Sequence, residues 1–326
     1  MKRLALLTAL LVLPTPAFAD AAERPSDRGA EASQAASGRA SIGTRTGLVN
    51  RRRRFVQRGQ KVIVRGRVRD FVAGQFMVVR VKRGRRVGLH RVPIRKAERG
   101  LGRYTLAFRA ERRGRYRVRA VHSATAQQRH FSSRTVTLRS INPRAGVGAR
   151  GLAVRLLQRN LLHQGYATPL NGYFGAATAR AVLAFRKVNG QGESGFASRR
   201  VFFKLFRKRG RFRVRHRRPG RHVEYDWSRQ VLVLVRRGRA WRTYHSSSGK
   251  ASTPTVFGAF RFYRKQPGTN AKGMVHSNYF IGGYAIHGYK SVPTHPASHG
   301  CIRIPIPNAA QVNRRIRIGE RIFVYR

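Results

Sequence analysis

Residues 283–305 read GYAIHGYKSVPTHPASHGCIRIP. They contain Cys301, the only cysteine of the 326-residue chain. It stands two positions after His299, with His287 and His295 close upstream. A cysteine nucleophile needs a base for its proton, a group that orients the base, and donors for an oxyanion. His287 and His299 are candidate bases. Gly288 and Gly300 allow close backbone approach and unusual dihedrals, and the amides around Gly300-Cys301 are candidate oxyanion donors. The same residues suit zinc, because His287, His295, His299 and Cys301 are all N or S donors. Their spacing fits no standard structural finger, and no carboxylate lies between His276 and Arg303 to act as a general base. Free cysteines are also often buried and inert. The polar, tight Ser298-His299-Gly300 segment argues for chemistry, and spacing alone goes no further.

Outward from this stretch, residues 219–326 read as a mainly-β domain. HVEYDW, QVLVLVRRGRAWRTYHS with a turn at Arg237-Gly238, GAFRFYR and GERIFVYR have strand character. PNAAQVNRRIR is the one helical pattern, with Asn308 expected as its cap.

The pair AIHGY and ASHGCIRIP closely resembles the L,D-transpeptidase catalytic domain of the YkuD type, whose hallmark is a histidine followed by Ser/Thr-His-Gly-Cys-x-Arg/Asn. SSSGKASTPTVFGAFRFYRK and GMVHSNYFIGGYAIHG resemble the stretches that precede it, and the likeness spans 221–326. The resemblance implies that Cys301 is the nucleophile and His287 the base, oriented by the Gly288 carbonyl. It implies that Ser298, His299 and Gly300 shape the nucleophile turn and oxyanion site. Arg303 would brace the loop or meet a substrate carboxylate, and Tyr279, Phe280 and Tyr284 would line the donor pocket. It further implies acyl transfer between peptidoglycan stem peptides, giving 3→3 cross-links with no cofactor and no metal, and blocked by carbapenems more than by penicillins. The ten residues between His287 and Ser298 are fewer than usual, which bears on the acceptor.

Residues 147–208 carry a helical period. Leu152, Leu156, Leu157 and Leu161 fall near helical spacing. Ala181, Val182 and Phe185 recur after Thr178, an expected N-cap, and RRVFFKLF makes a third run. A small three-helix bundle is expected. The order of VRLLQRNLLHQGY, LNGYFGAATARAVLAFRKVNG and GFASRRVFFKLF resembles the peptidoglycan-binding repeat of cell-wall enzymes. Two departures are Arg186, where that family usually has glutamine, and Gly195-Phe196-Ala197 before the last helix.

Residues 47–141 alternate apolar residues with arginine, as in KVIVRGRVRDF and GRYRVRAVH. About seven short strands predict an immunoglobulin-like β-sandwich spacer. Residues 20–46, rich in Ala, Ser and Gly, predict a disordered linker. Residues 1–19 have the charged start, ten-residue apolar run and Ala17-Phe18-Ala19 site of a cleaved signal peptide. The apolar run is too short to span a bilayer, so an exported chain without a transmembrane anchor is expected at the cell wall or outer face of the envelope.

The formal net charge is +59, and 11 of the 70 basic residues are lysine. A cytosolic chain of this charge reads as nucleic-acid binding; export sets that aside. Two readings remain: adhesion to anionic envelope polymers, or an arginine-biased composition without a partner. For the C-terminal domain the alternatives are an inactive wall-binding protein or a hydrolytic L,D-carboxypeptidase.

Overall fold

The computed structural model describes residues 35–218 and 220–326. The expected signal peptide and residues 20–34 of the expected linker lie outside the described residues. Among those described, no helix is long and apolar enough to cross a membrane.

The N-terminal region contains β1 (Arg39–Thr44), β2 (Leu48–Asn50), β3 (Arg53–Gln57), β4 (Lys61–Arg69), β5 (Phe76–Arg83), β6 (Arg86–Pro93), β7 (Arg95–Lys96), β8 (Gly102–Arg109), β9 (Gly114–His122), β10 (Phe131–Ser132) and β11 (Val136–Ile141). They form a sheet of order β1-β4-β8-β7 and a larger one of order β2-β3-β11-β9-β5-β6, with β10 on β9. Period two explains the packing. Val62, Val64 and Val68 of β4 and Tyr116, Val118 and Ala120 of β9 are buried in one shared core. The arginines between them point to solvent. Strand β1 corrects the expected linker. Residues 39–44 pair antiparallel with β4 over six positions, because backbone pairing along an otherwise open edge needs few large side chains.

Helices α1 (Leu152–His163), α2 (Ala176–Val188) and α3 (Arg199–Phe206) follow. Leu156, Leu157, Leu161, Val182, Phe185, Phe202 and Phe206 share a core that also takes Leu48 and Phe55 from β2 and β3. The first helical region is therefore not packed in isolation. Thr178 is not the N-cap: α2 begins one position after Gly175, and Thr178 is buried, where its hydroxyl accepts from Gln158 Nε2 at 2.9 Å. Arg186 donates to the carbonyls of Gln191, Gly192 and Phe196, holding the turn ahead of α3.

The C-terminal domain contains β12 (His222–Asp226), β13 (Val231–Arg236), β14 (Arg239–His245), β15 (Gly258–Arg261), β16 (Arg264–Thr269), β17 (Val275–Ile281), β18 (Tyr284–Tyr289), β19 (Ile302–Pro305), α4 (Ile306–Arg315) and β20 (Arg321–Tyr325). One sheet has the order β14-β13-β12-β20-β15, the other β16-β17-β18-β19. Val223, Leu232, Phe262, Phe280, Ile286 and Ile302 belong to the core they share. The β13–β14 turn is Arg237-Gly238, both at positive φ, the backbone a two-residue hairpin loop favours. Asn308 lies inside α4, whose cap is Pro305; the proline fits the start of a helix because its missing N–H would be unpaired there anyway.

Candidate active site

Cys301, one residue before β19, and His287, on β18, line one cavity because β18 and β19 are parallel neighbours. Their register pairs Ile286 with Ile302 and His287 with Arg303. Ile286, Ile302 and Ile304 face the core, so alternation turns His287, Cys301 and Arg303 to the opposite face. There they line a cavity of about 660 Å3 together with Tyr279, Tyr284 and Lys272.

The ring of His287 is 3 % exposed, and its Nδ1 lies 2.9 Å from the Gly288 carbonyl oxygen. A carbonyl only accepts, so the proton sits on Nδ1 and Nε2 keeps a free lone pair. Gly288 is required for a second reason. A Cβ there would lie 2.7 Å from the Ala309 Cβ, so its absence lets α4 pack onto β18.

The Ser298–Cys301 turn is held from behind by residues 246–255. Gly249 N–H donates to Thr255 Oγ1 at 2.9 Å, and that hydroxyl donates to the Gly300 carbonyl at 2.6 Å. Thr253 Oγ1 donates to the Ser298 carbonyl at 3.0 Å. Ser247 and Arg303 exchange backbone bonds at 3.0 and 2.7 Å. Within the turn, the Ser298 hydroxyl donates to the Cys301 carbonyl and accepts the Gly300 N–H at 3.1 Å. Gly300 sits at φ +107°, where a Cβ would also lie 2.4 Å from the Tyr284 ring. Glycine is demanded there twice over.

The shifts at His287 and Cys301 both favour the neutral form. Burial pulls the His287 pKa below its ordinary value and the Arg303 charge adds to this, against the raising effect of the Gly288 bond. Burial pushes the Cys301 thiol up, opposed by a backbone hydrogen bond and the positive charges of Arg303 and Lys272. The half-buried thiol donates weakly to the Gly283 carbonyl, 3.6 Å away. The arrangement suits a base that takes the thiol proton during attack rather than a standing thiolate–imidazolium pair.

The residues expected from sequence separate as follows. His287, Ser298, His299, Cys301, Arg303, Tyr279 and Tyr284 line the cavity. Arg303 does so while bracing: Nη1 donates to the Ala297 carbonyl at 3.3 Å and the guanidinium lies over Tyr289 at 4.2 Å. Phe280 does not line it. It is 3 % exposed and packs against Phe260 and Phe262 in the core, because its neighbour Tyr279 takes the cavity face. The Gly300 amide is engaged by Ser298 and so is not a free oxyanion donor. His295 is exposed and contributes its carbonyl to Ser247. Among the described residues, no three His, Cys, Asp or Glu side chains are grouped to hold a metal ion.

Sequence reasoning missed Lys272, Met274 and Tyr289, which line the cavity along with Arg264 and Asn270. It also missed Lys187 of α2, whose Nζ enters the C-terminal domain and lies 3.0 Å from the Thr294 carbonyl. A lysine within an apolar helical stretch was the available signal.

Two families match this chain. The L,D-transpeptidase catalytic domain (YkuD) matches residues 220–324, and the peptidoglycan binding domain PG_binding_1 matches residues 150–205. Among solved structures, an L,D-transpeptidase from Xylanimonas cellulosilytica DSM 15894 is 32 % identical with a TM-score of 0.51, over 57 % of this chain and 98 % of that one. An L,D-transpeptidase from Stackebrandtia nassauensis is 20 % identical, TM-score 0.36, over 56 % and 95 %. The ertapenem-acylated catalytic domain of the Enterococcus faecium enzyme is 22 % identical, TM-score 0.28, over 32 % and 97 %. No curated protein matches.

Proposed function

We propose that this chain, which belongs to the L,D-transpeptidase family through its YkuD catalytic domain, forms 3→3 cross-links between peptidoglycan stem peptides through an acyl-enzyme on Cys301. The observation that carries this reading is the shared cavity of His287, on β18, and Cys301, just before the parallel strand β19, with His287 Nδ1 tied to the Gly288 carbonyl.

The chemistry follows from that geometry. Cys301 Sγ attacks the carbonyl carbon of the third residue of a tetrapeptide stem as His287 Nε2 takes the thiol proton. The carbonyl oxygen becomes an oxyanion, for which the Cys301 amide is the donor, since Ser298 engages the Gly300 amide. Collapse breaks the amide bond, and His287 returns the proton to the departing D-alanine amine. A thioester remains. A side-chain amine of a second stem then attacks it, His287 takes the amine proton, and the thiol is re-formed as the new amide closes. The thioester is more reactive toward amines than the amide it replaced, and exclusion of water favours the amine. Arg303 and Lys272 supply positive charge beside the site, suited to a stem carboxylate. No step calls on a metal or cofactor.

The other regions fit an envelope protein: a signal peptide over 1–19, a two-sheet immunoglobulin-like spacer, and a helical region that holds peptidoglycan. Arg186, at the position of the family's usual glutamine, holds a loop rather than standing free for glycan.

Product analysis tests the reaction. Incubating the chain with a disaccharide-tetrapeptide should yield a dimer linked between third residues, with one D-alanine released per link. A tripeptide as the sole product would make the enzyme a carboxypeptidase instead.

A further inference from the structure

A second concavity lies away from Cys301, between the larger N-terminal sheet and α1. Its volume is about 920 Å3. Arg51, Arg52 and Arg53 at the β2–β3 turn, Arg115 of β9, Arg139 of β11 and Arg155 of α1 all line it. No carboxylate lines it. It shares Gly114 and Arg115 with a smaller hollow of about 320 Å3 lined by Lys82, Arg83 and Arg117, so the two make one basic track.

Two features of this track run against stability. Within the track, β5, β9 and β11 place like charges directly opposite each other: Lys82 faces Arg117, and Arg115 faces Arg139. Cross-strand pairs of like charge are destabilising, and among the described residues the ion pairs all lie in the C-terminal domain. The β2–β3 hairpin closes through Arg51 and Arg52 at φ +45° and +62°. That is the backbone for which Asn-Gly is preferred, and arginine is strained there. Like-charge pairs and arginines at positive φ recur elsewhere in the chain; here they meet in a groove without a carboxylate, where such a cost can serve binding.

We propose that this groove binds a linear polyanion of the cell envelope, a polymer bearing phosphate or carboxylate groups along its length. A guanidinium presents paired N–H donors that match either oxyanion. A concave track of them holds successive charges of one strand and relieves the cross-strand repulsion. Single-stranded nucleic acid fits less well, because its binding sites stack bases on aromatic side chains. The aromatic residue in the groove, Phe55, is buried in the core shared with the helices.

The test compares the native chain with Arg51→Asn/Arg52→Gly, with Arg115→Gln/Arg139→Gln/Arg155→Gln, and with Arg314→Gln/Arg317→Gln/Arg321→Gln on the C-terminal domain. The probes are inorganic polyphosphate and polygalacturonate, titrated at several salt concentrations. The groove triple variant should lose at least about tenfold in affinity and show a shallower salt dependence. The distant triple, with the same change of charge, should lose less than about twofold. The turn variant should melt higher than the native chain while binding more weakly, since it removes strain and charge together. Tighter binding of one probe identifies phosphate or carboxylate as the recognised group. Equal losses in the two triples would overturn the proposal in favour of adhesion by net charge. So would a turn variant that binds as the native chain does, or groove-dependent binding of single-stranded DNA tighter than either polymer.

Discussion

Lys187, on α2, donates from Nζ to the carbonyl oxygen of Thr294, 3.0 Å away. Thr294 lies in the short stretch between His287 and Ser298. The same ammonium reaches His245 Nδ1 at 3.3 Å and the Ser246 carbonyl at 3.5 Å. With Nδ1 accepting, His245 carries its proton on Nε2 and donates to the Val292 carbonyl at 2.9 Å. Three donors meet three acceptors. A buried lysine from the helical region thus pins the loop that borders the Ser298–Cys301 turn.

Replacing Lys187 by Met should leave three buried acceptors unpaired, a loss of about 1–3 kcal/mol. The loop would lose its anchor, and kcat should fall ~10-fold through misplacement of substrate. Burial holds Lys187 down to about 8, from an ordinary value of 10.5. A base with a lowered folded pKa binds fewer protons folded than unfolded between those two values. Native stability should therefore rise from about pH 8 toward 10.5 relative to Lys187→Met, a gain absent below pH 8. Thermal melts of the two proteins across that range check the sign.

Gly300→Ala meets two obstacles at once, the positive φ and the Tyr284 ring. It should cost about 1–3 kcal/mol of stability and remove most acylation. Adding Tyr284→Ala frees the space but not the backbone, so activity should recover only in part. Full recovery in the double variant would mean that the ring contact alone matters.

The pH dependence of acylation follows from two neutral groups. The rate should rise as pH passes the lowered pKa of His287, which places the acid limb below the ordinary histidine range. It should stay level past neutrality, because the thiol pKa lies above its ordinary value. Removing the guanidinium in Arg303→Gln should move the acid limb upward, since Arg303 charge helps lower His287. A stopped-flow acylation profile reads both limbs.

What the sequence made legible was local. The hexapeptide Ser298–Arg303 leads into β19, the parallel neighbour of the strand that carries His287, so a short-range motif was enough. Phe280 was misplaced although strand parity was available: once Tyr279 takes the cavity face, its neighbour must face the core. Strand β1 was hidden because small residues such as Ala40 and Ser41 give little apolar alternation, and its order comes from pairing with β4. Thr178 has the chemistry of a cap, but Gln158, twenty positions earlier, places it inside a buried polar network. Lys187 was the least legible, since its acceptors lie up to 107 positions away in another domain.

A covalent acyl-enzyme on Cys301 adds mass to the protein, which intact-protein mass spectrometry reads. The native chain and Cys301→Ala are each incubated, reduced and folded, with a disaccharide-tetrapeptide and separately with a carbapenem. An adduct with each ligand is expected on the native chain and none on Cys301→Ala. Native protein without an adduct from either ligand, or an adduct that persists in Cys301→Ala, would contradict it.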